Sequence, residues 1–529
     1  MTKVLVSDSL SREGLLVLEN APGIEVAYKP GLSEDELADA IGDYEGLVIR
    51  SGSKVTARVL ARASRLRVVG RAGIGVDNVD VKEASRRGII VMNTPTGNAV
   101  TTAEHALSLL FSLARKIPQA DATMKQGKWE KKKFEGRELS GKTLGVIGLG
   151  NIGRIVADRA RGLRMHVLGY DPFVTKERAA ELGVELVELA ELFRRSDAIT
   201  AHTPLTAETS ALIDDDAIAN MKKGVLRINA ARGGIYREDA LLRGLASGQL
   251  GGVALDVFVE EPPGLTELIK HPSVIATPHL GASTEEAQLR VAVEVAEQVV
   301  AYLTADEITN AVNVPAVARE LAPLLGPYLI LARRLGQFLG QVEELQPRTI
   351  EVECAGASAQ LPTRSIAHAA LAGLLAQFLE VPVNQINAPF IAVDRGIEVK
   401  EQTSTHGGLF STLLTLSVID AKGGRVSVSG TLGADSTPRL ARWGEYEMEA
   451  HLEGAMLATK NRDRPGVIGN IGTILGASGV NVSRMQMGLD KGSQEAAAIW
   501  SLDSELTQPV LAKIQAVKEV SCAWSVRVS

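Results

Sequence analysis

Two cysteines, Cys354 and Cys522, are all that the 529 residues contain. A chain this long cannot build a disulfide framework or a cysteine-based zinc site from them. That excludes the cysteine-stapled secreted class and points to a reducing compartment. No metal site is expected. Long apolar runs are missing as well. The longest candidate, near 321–331, is interrupted by Pro323, Gly326 and Pro327 and stopped by Arg333 and Arg334. It falls short of the roughly 18 residues that a membrane span needs. The opening stretch, Met1-Thr-Lys-Val-Leu-Val-Ser-Asp8, reads as a short strand and not as a signal peptide. A soluble, cytoplasmic protein with no membrane partner is expected. Positive charge is also in deficit, with 57 Lys and Arg against 63 Asp and Glu. The net charge of −6 gives a nucleic-acid partner no global electrostatic support. The one basic cluster, Lys128-Trp-Glu-Lys-Lys-Lys133, reads as a solvated helix end or as a local phosphate-steering element.

Apolar residues make up 45% of the chain, enough for several cores. At about 100–200 residues per domain the length suggests three or four domains. The most informative stretch is Thr143-Leu-Gly-Val-Ile-Gly-Leu-Gly-Asn-Ile-Gly-Arg154. Leu144 to Ile147 reads as a buried parallel strand, and Ile155 to Leu163 as a helix with an apolar stripe. Between them Gly148, Gly150 and Gly153 have the G-x-G-x-x-G spacing in the context a dinucleotide fingerprint requires. The first glycine makes the turn, the second admits a pyrophosphate, and the third lets helix and strand pack closely. A second strand, His166-Val-Leu-Gly-Tyr-Asp171, ends in an acid about 20 residues further on, where a ribose-binding carboxylate is expected. Asp171 would repel a 2′-phosphate, and Pro172-Phe173 supplies no compensating arginine. NAD is therefore expected in preference to NADP.

Residues 1 to about 97 alternate short strands and helices without a glycine fingerprint, an α/β unit with a parallel sheet. A helix over 101–114 leads into the cofactor unit, which continues through strands near 198–202, 225–229, 252–256 and 274–277 and closes near Gly281. The helix 285–302 is long enough to return to the first unit. The first domain is thus expected to be discontinuous, with a cleft between it and the inserted cofactor domain. Past a linker at 305–315 the pattern predicts a helix near 326–345, a strand 349–354, a helix 364–378, and strands near 390–393 and 398–401. A hairpin, 413–419 with 425–430, turns at Lys422-Gly-Gly424. The last segment, from about 455, has the βαββαβ order of a ferredoxin-like fold.

Three successive strand ends of the cofactor unit carry chemistry. They are Asn229-Ala-Ala-Arg-Gly-Gly234, Asp256-Val-Phe-Val-Glu-Glu-Pro-Pro263 and Pro278-His-Leu-Gly-Ala-Ser-Thr284. They present an arginine, acids and a histidine at the sheet's carboxyl end, over the nicotinamide. The set fits reversible hydride transfer at a carbinol carbon. His279, with an unperturbed pKa near 6.5, would move the hydroxyl proton. Glu261 would orient the ring and stabilise the imidazolium. Arg232 would hold a substrate carboxylate with its planar fork, and Asp256 would hold or tune the nicotinamide end. His202 and His105 compete with His279, but Thr203-Pro204 beside His202 suggests adenine-pocket packing.

On these residues the chain resembles the D-2-hydroxyacid dehydrogenase family: Gly148-Leu-Gly-Asn-Ile-Gly153, Asn229-Ala-Ala-Arg-Gly233, the Glu261-Pro262 step and His279-Leu-Gly-Ala282. Arg71-Ala-Gly-Ile-Gly-Val-Asp-Asn78, Asn93-Thr-Pro-Thr-Gly-Asn-Ala99 and Lys128-Trp-Glu-Lys-Lys-Lys-Phe134 resemble its phosphoglycerate-oxidising branch in the long form. The resemblance implies oxidation of 3-phosphoglycerate with NAD at the entry to serine synthesis, in a homo-oligomer, a tetramer. It assigns Arg232, Glu261 and His279 to catalysis. It carries cofactor contacts over to Asn151, Ile152, Asp171, Thr203, Ala230, Ala231, Arg232, Asp256, His279, Leu280, Gly281 and Ala282, beside the three glycines. Arg50 and Arg71, at strand ends beside glycine-rich loops, are expected to hold the phosphate end, with Asn98 nearby. The tail resembles an ACT domain, and Asp463 and Asn481 are the expected contacts of an L-serine effector. The implied fold is α/β, a Rossmann-like NAD-binding domain (99–282) inserted in a flavodoxin-like substrate domain (1–98 and 283–304). An α+β intervening domain (317–454) and a ferredoxin-like ACT domain (455–529) follow. Arg439 and Arg442 read as an anion site or a solvated face. Two other readings stay open, an NAD(H)-sensing partner-binding protein on the same fold and a dehydrogenase for another 2-hydroxy acid.

Overall fold

The computed structural model describes residues 1–315, 321–343, 345–379, 382–408, 410–490, 492 and 494–529. They form two compact units. One gathers Met1–Lys54, Val68–Asn78 and Met92–Asn310, the other Val55–Arg67, Val79–Val91 and Ala311–Ser529. No helix among the described residues is long and apolar enough to cross a membrane.

Residues 1–310 are built on two sheets. Strands β1 (Thr2–Val6), β2 (Ile24–Tyr28), β3 (Gly46–Ile49), β4 (Val68–Arg71) and β5 (Ile90–Asn93) lie in the order β2-β1-β3-β4-β5, the flavodoxin-like arrangement. The helix Glu285–Ala305 packs back on β3, β4 and the helix Arg12–Glu19. It lies so close that a Cβ on Gly70 would meet Val299 Cγ2 at 2.6 Å. The return of this helix to the first sheet is as the sequence suggests.

The second sheet has seven parallel strands: β6 (Thr143–Ile147), β7 (His166–Tyr170), β8 (Glu185–Leu186), β9 (Ala198–Ala201), β10 (Val225–Asn229), β11 (Leu250–Leu255) and β12 (Val274–Ala276). Their order is β12-β11-β10-β9-β6-β7-β8, the Rossmann-like arrangement with a seventh strand added. Both faces are buried. Leu144, Val146 and Ile228 join one core with the helix Ala99–Arg115, and Ile147, Ile199 and Val253 join the other. Two-sided burial is why these strands read as continuous apolar runs and do not alternate. The strand order reverses between β6 and β9, and this switch point puts the glycine turn at the mouth of the sheet.

In the second unit β13 (Pro347–Gly356), β14 (Glu398–Ser404), β15 (Thr412–Asp420), β16 (Arg425–Leu432), β17 (Pro438–Trp443) and β18 (Tyr446–His451) form a sheet in the order β14-β13-β15-β16-β17-β18. Strands β19 (Gly454–Arg462), β20 (Val482–Leu489), β21 (Glu495–Leu502) and β22 (Val520–Val528) form an antiparallel sheet in the order β20-β21-β19-β22. With the helices Val467–Ala477 and Gln508–Gln515 this is the ferredoxin-like fold. The helices Ala322–Val342 and Thr363–Leu375 cross at glycine. A Cβ on Gly373 would lie 2.0 Å from Arg333 O, and one on Gly336 2.2 Å from Ala370 O.

Several expectations need correction. Residues 390–393 are not a strand but part of the helix Ala388–Asp394. A short apolar run does not distinguish the two. Pro389 sits in the first turn, where its missing N–H costs nothing, and Ala388 and Ala392 are buried one turn apart. The helix expected from 326 begins at Ala322 and runs through Pro327. Tertiary packing of Leu325, Leu331, Leu335 and Phe338 outweighs the hydrogen bond that proline removes. Strands β17 and β18 were not anticipated. Segments 55–67 and 79–91 group with the second unit. There Asn384 Nδ2 donates to Gly88 O and Asn313 Nδ2 to Ile89 O, both at 2.8 Å. The expected boundary at 317 lies outside the described residues.

Gly373→Ala should destabilise the second unit by about 1–3 kcal/mol through overpacking. Gly326→Ala, with no atom within 4 Å of its Cβ, should be neutral or stabilise by about 0.5–1 kcal/mol. Urea unfolding of the two variants, followed by tryptophan fluorescence, checks the contrast.

Candidate active site

The glycine turn divides its work as the spacing suggests. Gly148 has φ +87°, and a Cβ there would meet His202 O at 2.6 Å. A Cβ on Gly153 would lie 1.9 Å from Gly148 O, so this position holds helix against strand. Gly150, the N-cap of the helix Asn151–Gly162, has nothing within 4 Å of its Cβ position. The first turn of that helix, with Asn151, Ile152 and Gly153, offers backbone N–H groups with no partner within the helix. Asn151 Nδ2 is itself anchored on Pro95 O at 3.1 Å.

Asp171 stands at the end of β7. Its Oδ2 accepts from Leu149 N–H at 2.8 Å and its Oδ1 from Phe173 N–H at 2.9 Å. The carboxylate is thereby fixed beside the glycine turn with lone pairs to spare for a ribose diol. Thr203 Oγ1 and His202 Nδ1 are buried without a partner at the end of β9. His202 Nε2 is 3.0 Å from Thr200 Oγ1, and burial pushes this histidine down to about 4. A turn open at Gly150, a fixed acid and buried polar atoms at the strand ends fit an adenine dinucleotide without a 2′-phosphate.

The strand ends after β10, β11 and β12 are stapled in series. Asp256 N–H donates to Asn229 O and His279 N–H to Asp256 O, both at 2.9 Å. Gly233 lies so close to the next loop that a Cβ would sit 1.8 Å from Phe258 O. Ala230 and Ala231 are buried beneath this junction. His279 has φ +52°, a left-handed conformation that strains a side-chain-bearing residue. Its Nδ1 lies 2.7 Å from Glu261 Oε2, and Glu261 Oε1 accepts from Phe258 N–H at 3.0 Å. Glu261 follows a turn whose Glu261-Pro262 peptide is cis. The imidazole side chain is 51% exposed, so it faces an open mouth and not a sealed core. With Nδ1 on the carboxylate, Nε2 is the nitrogen left for a reactant.

Asp256 has a different position from the one expected. Its side chain is fully buried and does not reach the mouth. Oδ1 takes Thr277 Oγ1–H at 2.6 Å, Leu280 N–H at 2.7 Å and His105 Nε2 at 3.1 Å, and Oδ2 takes Gly281 N–H at 2.8 Å. Burial pushes its pKa up, but the hydrogen bonds from His105, Thr277 and Leu280 outweigh that and hold the carboxyl below the usual range. It organises the histidine turn from behind. Thr102 Oγ1 adds a bond to Gly281 O at 3.0 Å, and Ala282 O accepts from Gln288. Leu280 remains exposed at the surface.

Three arginines influence one another here, Arg50 after β3, Arg71 at the end of β4 and Arg232 in the loop after β10. Arg71 is pushed down to about 10, by burial first and then by the charge of Arg232, with Arg50 acting in the same direction. Asp77 and Asp8 act the other way. Arg71 therefore stays charged at neutral pH, and its Nε is buried without a partner. Arg50 is held through its backbone, N–H to Asp8 Oδ2 at 2.6 Å. Arg232 Nη1 donates to Ala231 O and Nε to Asp77 Oδ2 at 2.8 Å. Asn98 caps the helix Ala99–Arg115 without a side-chain bond, and its Oδ1 is buried and unpaired. The sequence reading gave no role to Asp8, Asp77, Thr102 and Thr277, and named His105 only as a rival of His279. Asp77 lies inside the Arg71–Asn78 motif, so its position was visible but its partner was not.

The effector residues do not meet in one chain. Asp463 N–H donates to Gln494 O at one end of β21, and Asn481 N–H to Asp503 Oδ1 at the other. Seven strand steps, roughly 23 Å, separate those ends.

Residues 107–281 match the family model described as "D-isomer specific 2-hydroxyacid dehydrogenase, NAD binding domain". The fold is that of the NAD-dependent D-2-hydroxyacid dehydrogenases, and the matched stretch contains the glycine turn, Arg232, Glu261 and His279. Residues 324–443 match the model described as "D-3-phosphoglycerate dehydrogenase intervening domain". A D-3-phosphoglycerate dehydrogenase of Synechocystis is 42% identical over 100% of this chain and 95% of its own length. One from Methanocaldococcus jannaschii is 40% identical over 98% of each. The chain belongs to the D-3-phosphoglycerate dehydrogenase family. Among solved structures, D-lactate dehydrogenase from Aquifex aeolicus, complexed with NAD and lactic acid, aligns with a TM-score of 0.52 and 28% identity. That alignment covers 60% of this chain and 100% of that one.

His202 ties acid stability to the nucleotide-binding sheet. Its folded pKa, about 4, lies below the unfolded value near 6.5. The unfolded chain then binds the extra proton more tightly between these values. This contribution is complete above pH 6.5 and is lost as pH falls towards 4, amounting to roughly 1–3 kcal/mol. Burial and the neighbouring Arg364 push His368 in the second unit the same way, to about 4. Denaturant midpoints measured from pH 7 to 4 should fall, and His202→Asn should flatten the fall.

Proposed function

We propose that the protein oxidises 3-phospho-D-glycerate to 3-phosphohydroxypyruvate with NAD, the first step of L-serine biosynthesis. The observation that carries this reading is the cluster of Arg50, Arg71 and Arg232 in the same unit as the His279–Glu261 pair. Three guanidiniums that repel one another call for a multiply charged anion, and a phosphorylated acid has roughly two more negative charges than an unphosphorylated one. Arg232 takes the carboxylate beside the reacting carbon through its fork of donors. Arg50 and Arg71 take the phosphate end, with Asn98 at its margin.

NAD, when bound, supplies the acceptor for the hydride. The glycine turn from Gly148 to Gly153 and the helix start at Asn151 and Ile152 would hold its pyrophosphate, and Asp171 its adenine ribose. Thr203, Ala230, Ala231 and the turn His279 to Ala282 would line the remainder, with Asp256 acting through that turn. His279 Nε2 removes the hydroxyl proton during oxidation and returns it during reduction. Glu261 keeps Nδ1–H oriented and stabilises the imidazolium that forms. The left-handed turn at His279 fixes the ring before substrate arrives, so little reorganisation remains for the reactive step.

The same reading includes four domains, 1–98 with 283–304, 99–282, 317–454 and 455–529. It includes a cytoplasmic homotetramer and feedback by L-serine. Since Asp463 and Asn481 lie at opposite ends of β21, the effector site would take Asp463 from one ACT domain and Asn481 from its partner.

Arg71→Ala should raise KM for 3-phosphoglycerate about 10- to 100-fold, as expected for a lost charge-assisted bond, and leave KM for unphosphorylated D-glycerate nearly unchanged. An unchanged KM for phosphoglycerate would take Arg71 out of the site. Equal efficiency on the two substrates would move the reading to another 2-hydroxy acid, and NADH binding without turnover to a sensor. Serine titration should inhibit the parent enzyme and spare Asp463→Ala. Equal inhibition of both would remove Asp463 from the effector site.

A further inference from the structure

The loop between Gly73 and Asp77 is wrapped around the two arginines that face the substrate. A Cβ on Gly73 would fall 1.8 Å from Arg71 Nη1, and one on Gly75 would fall 1.8 Å from Arg232 Nη2. The two guanidiniums thus occupy the space that side chains would fill at these positions. Gly73 needs φ +140° as well, whereas Gly75 is glycine for space alone. Asp77 completes the enclosure. Its Oδ2 accepts from Arg232 Nε at 2.8 Å and lies 2.8 Å from the Cβ position of Gly75. Arg232 belongs to the loop after β10, while Gly75 and Asp77 follow β4. The contact therefore joins the ends of the two sheets of residues 1–310.

We propose that Asp77 is a positioning residue for Arg232 and that Gly75 is the seat of its fork. Arg232 has five N–H donors. Asp77 takes the one on Nε, and Ala231 O takes one on Nη1 at 2.7 Å. These contacts use two of the five N–H groups and leave one on Nη1 and both on Nη2 for a carboxylate. Without Asp77 the guanidinium is free to rotate about its last torsions. It is also pushed away by Arg71, whose own charge state already registers Arg232. The acid side chain is 67% exposed and Arg232 28%. Asp77 thus contributes little to stability as an ion pair, and its effect lies in orientation.

The inference rests on the reading in which Arg232 grips the substrate acid, and the experiment separates the two. Binding that is equal in ground and transition states appears in KM and not in kcat. Asp77→Ala should raise KM for 3-phosphoglycerate about tenfold, as a misplaced binding group does, with kcat within about twofold and NADH affinity unchanged. Asp77→Asn keeps an acceptor for Nε and should return KM to within about threefold of the parent. Gly75→Ala should reproduce the KM defect with Asp77 still present. Arg232→Ala serves as the reference. If it leaves KM unchanged, the proposed function fails. If it raises KM while Asp77→Ala leaves KM unchanged or lowers it, the positioning role alone fails. Loss of NADH binding in Asp77→Ala would also overturn it, since that would show general damage to the unit.

Discussion

A single buried carboxylate organises the reacting end of this enzyme. Asp256 is sealed from solvent, and an ion in that setting persists only if its oxygens are fully engaged. They are, by Thr277, His105 and the N–H groups of Leu280 and Gly281, while its backbone carbonyl takes the N–H of His279. Five bonds from one residue thus fix the whole turn that carries the histidine. The strained φ of His279 is tolerable because the turn is over-determined around it. The charge at the back of the turn and the imidazole at its front are parts of one rigid arrangement.

The arginine cluster follows the opposite logic. There charges of one sign are gathered and left incompletely paired. Arg71 keeps an unpartnered Nε and is depressed by burial and by its neighbours Arg232 and Arg50. Such a cluster is unfavourable in isolation, and the release of that repulsion on binding is available to a substrate with several negative charges. Glycines 73 and 75 let the guanidiniums approach the backbone, and the acids Asp8 and Asp77 limit the repulsion.

The second unit is notable for a shared core. Phe338 from the helix Ala322–Val342 meets Trp443 of β17 edge-on at 5.4 Å, and Trp443 meets Trp524 of β22 at 5.6 Å. Lys460 lies over Trp443 at 4.7 Å with its Nζ on Glu343 at 2.6 Å. Residues of the ferredoxin-like sheet, Met456, Ile499 and Val526, belong to the same buried cluster as Leu335 and Leu416. Close-packed side chains thus join the ferredoxin-like sheet to the six-stranded one.

The sequence by itself determined most of the framework. The apolar runs at 144–147 and 225–229, the glycine spacing and Asp171 are local features, read by the backbone within a few residues, and the structure has them where the pattern puts them. His279 and Glu261 were legible because they follow successive strands, whose ends a parallel sheet must bring to one edge. What the tertiary structure decided depends on contacts between distant segments. The run 388–394 has no intrinsic preference strong enough to choose helix over strand, so packing chose. Asp256 reads as a ligand-facing acid until His105, 151 residues earlier on a helix, is seen to bury it. The partnership of Asp77 with Arg232 spans 155 residues and two sheets, and nothing in local pattern encodes a distance between side chains so far apart in the chain.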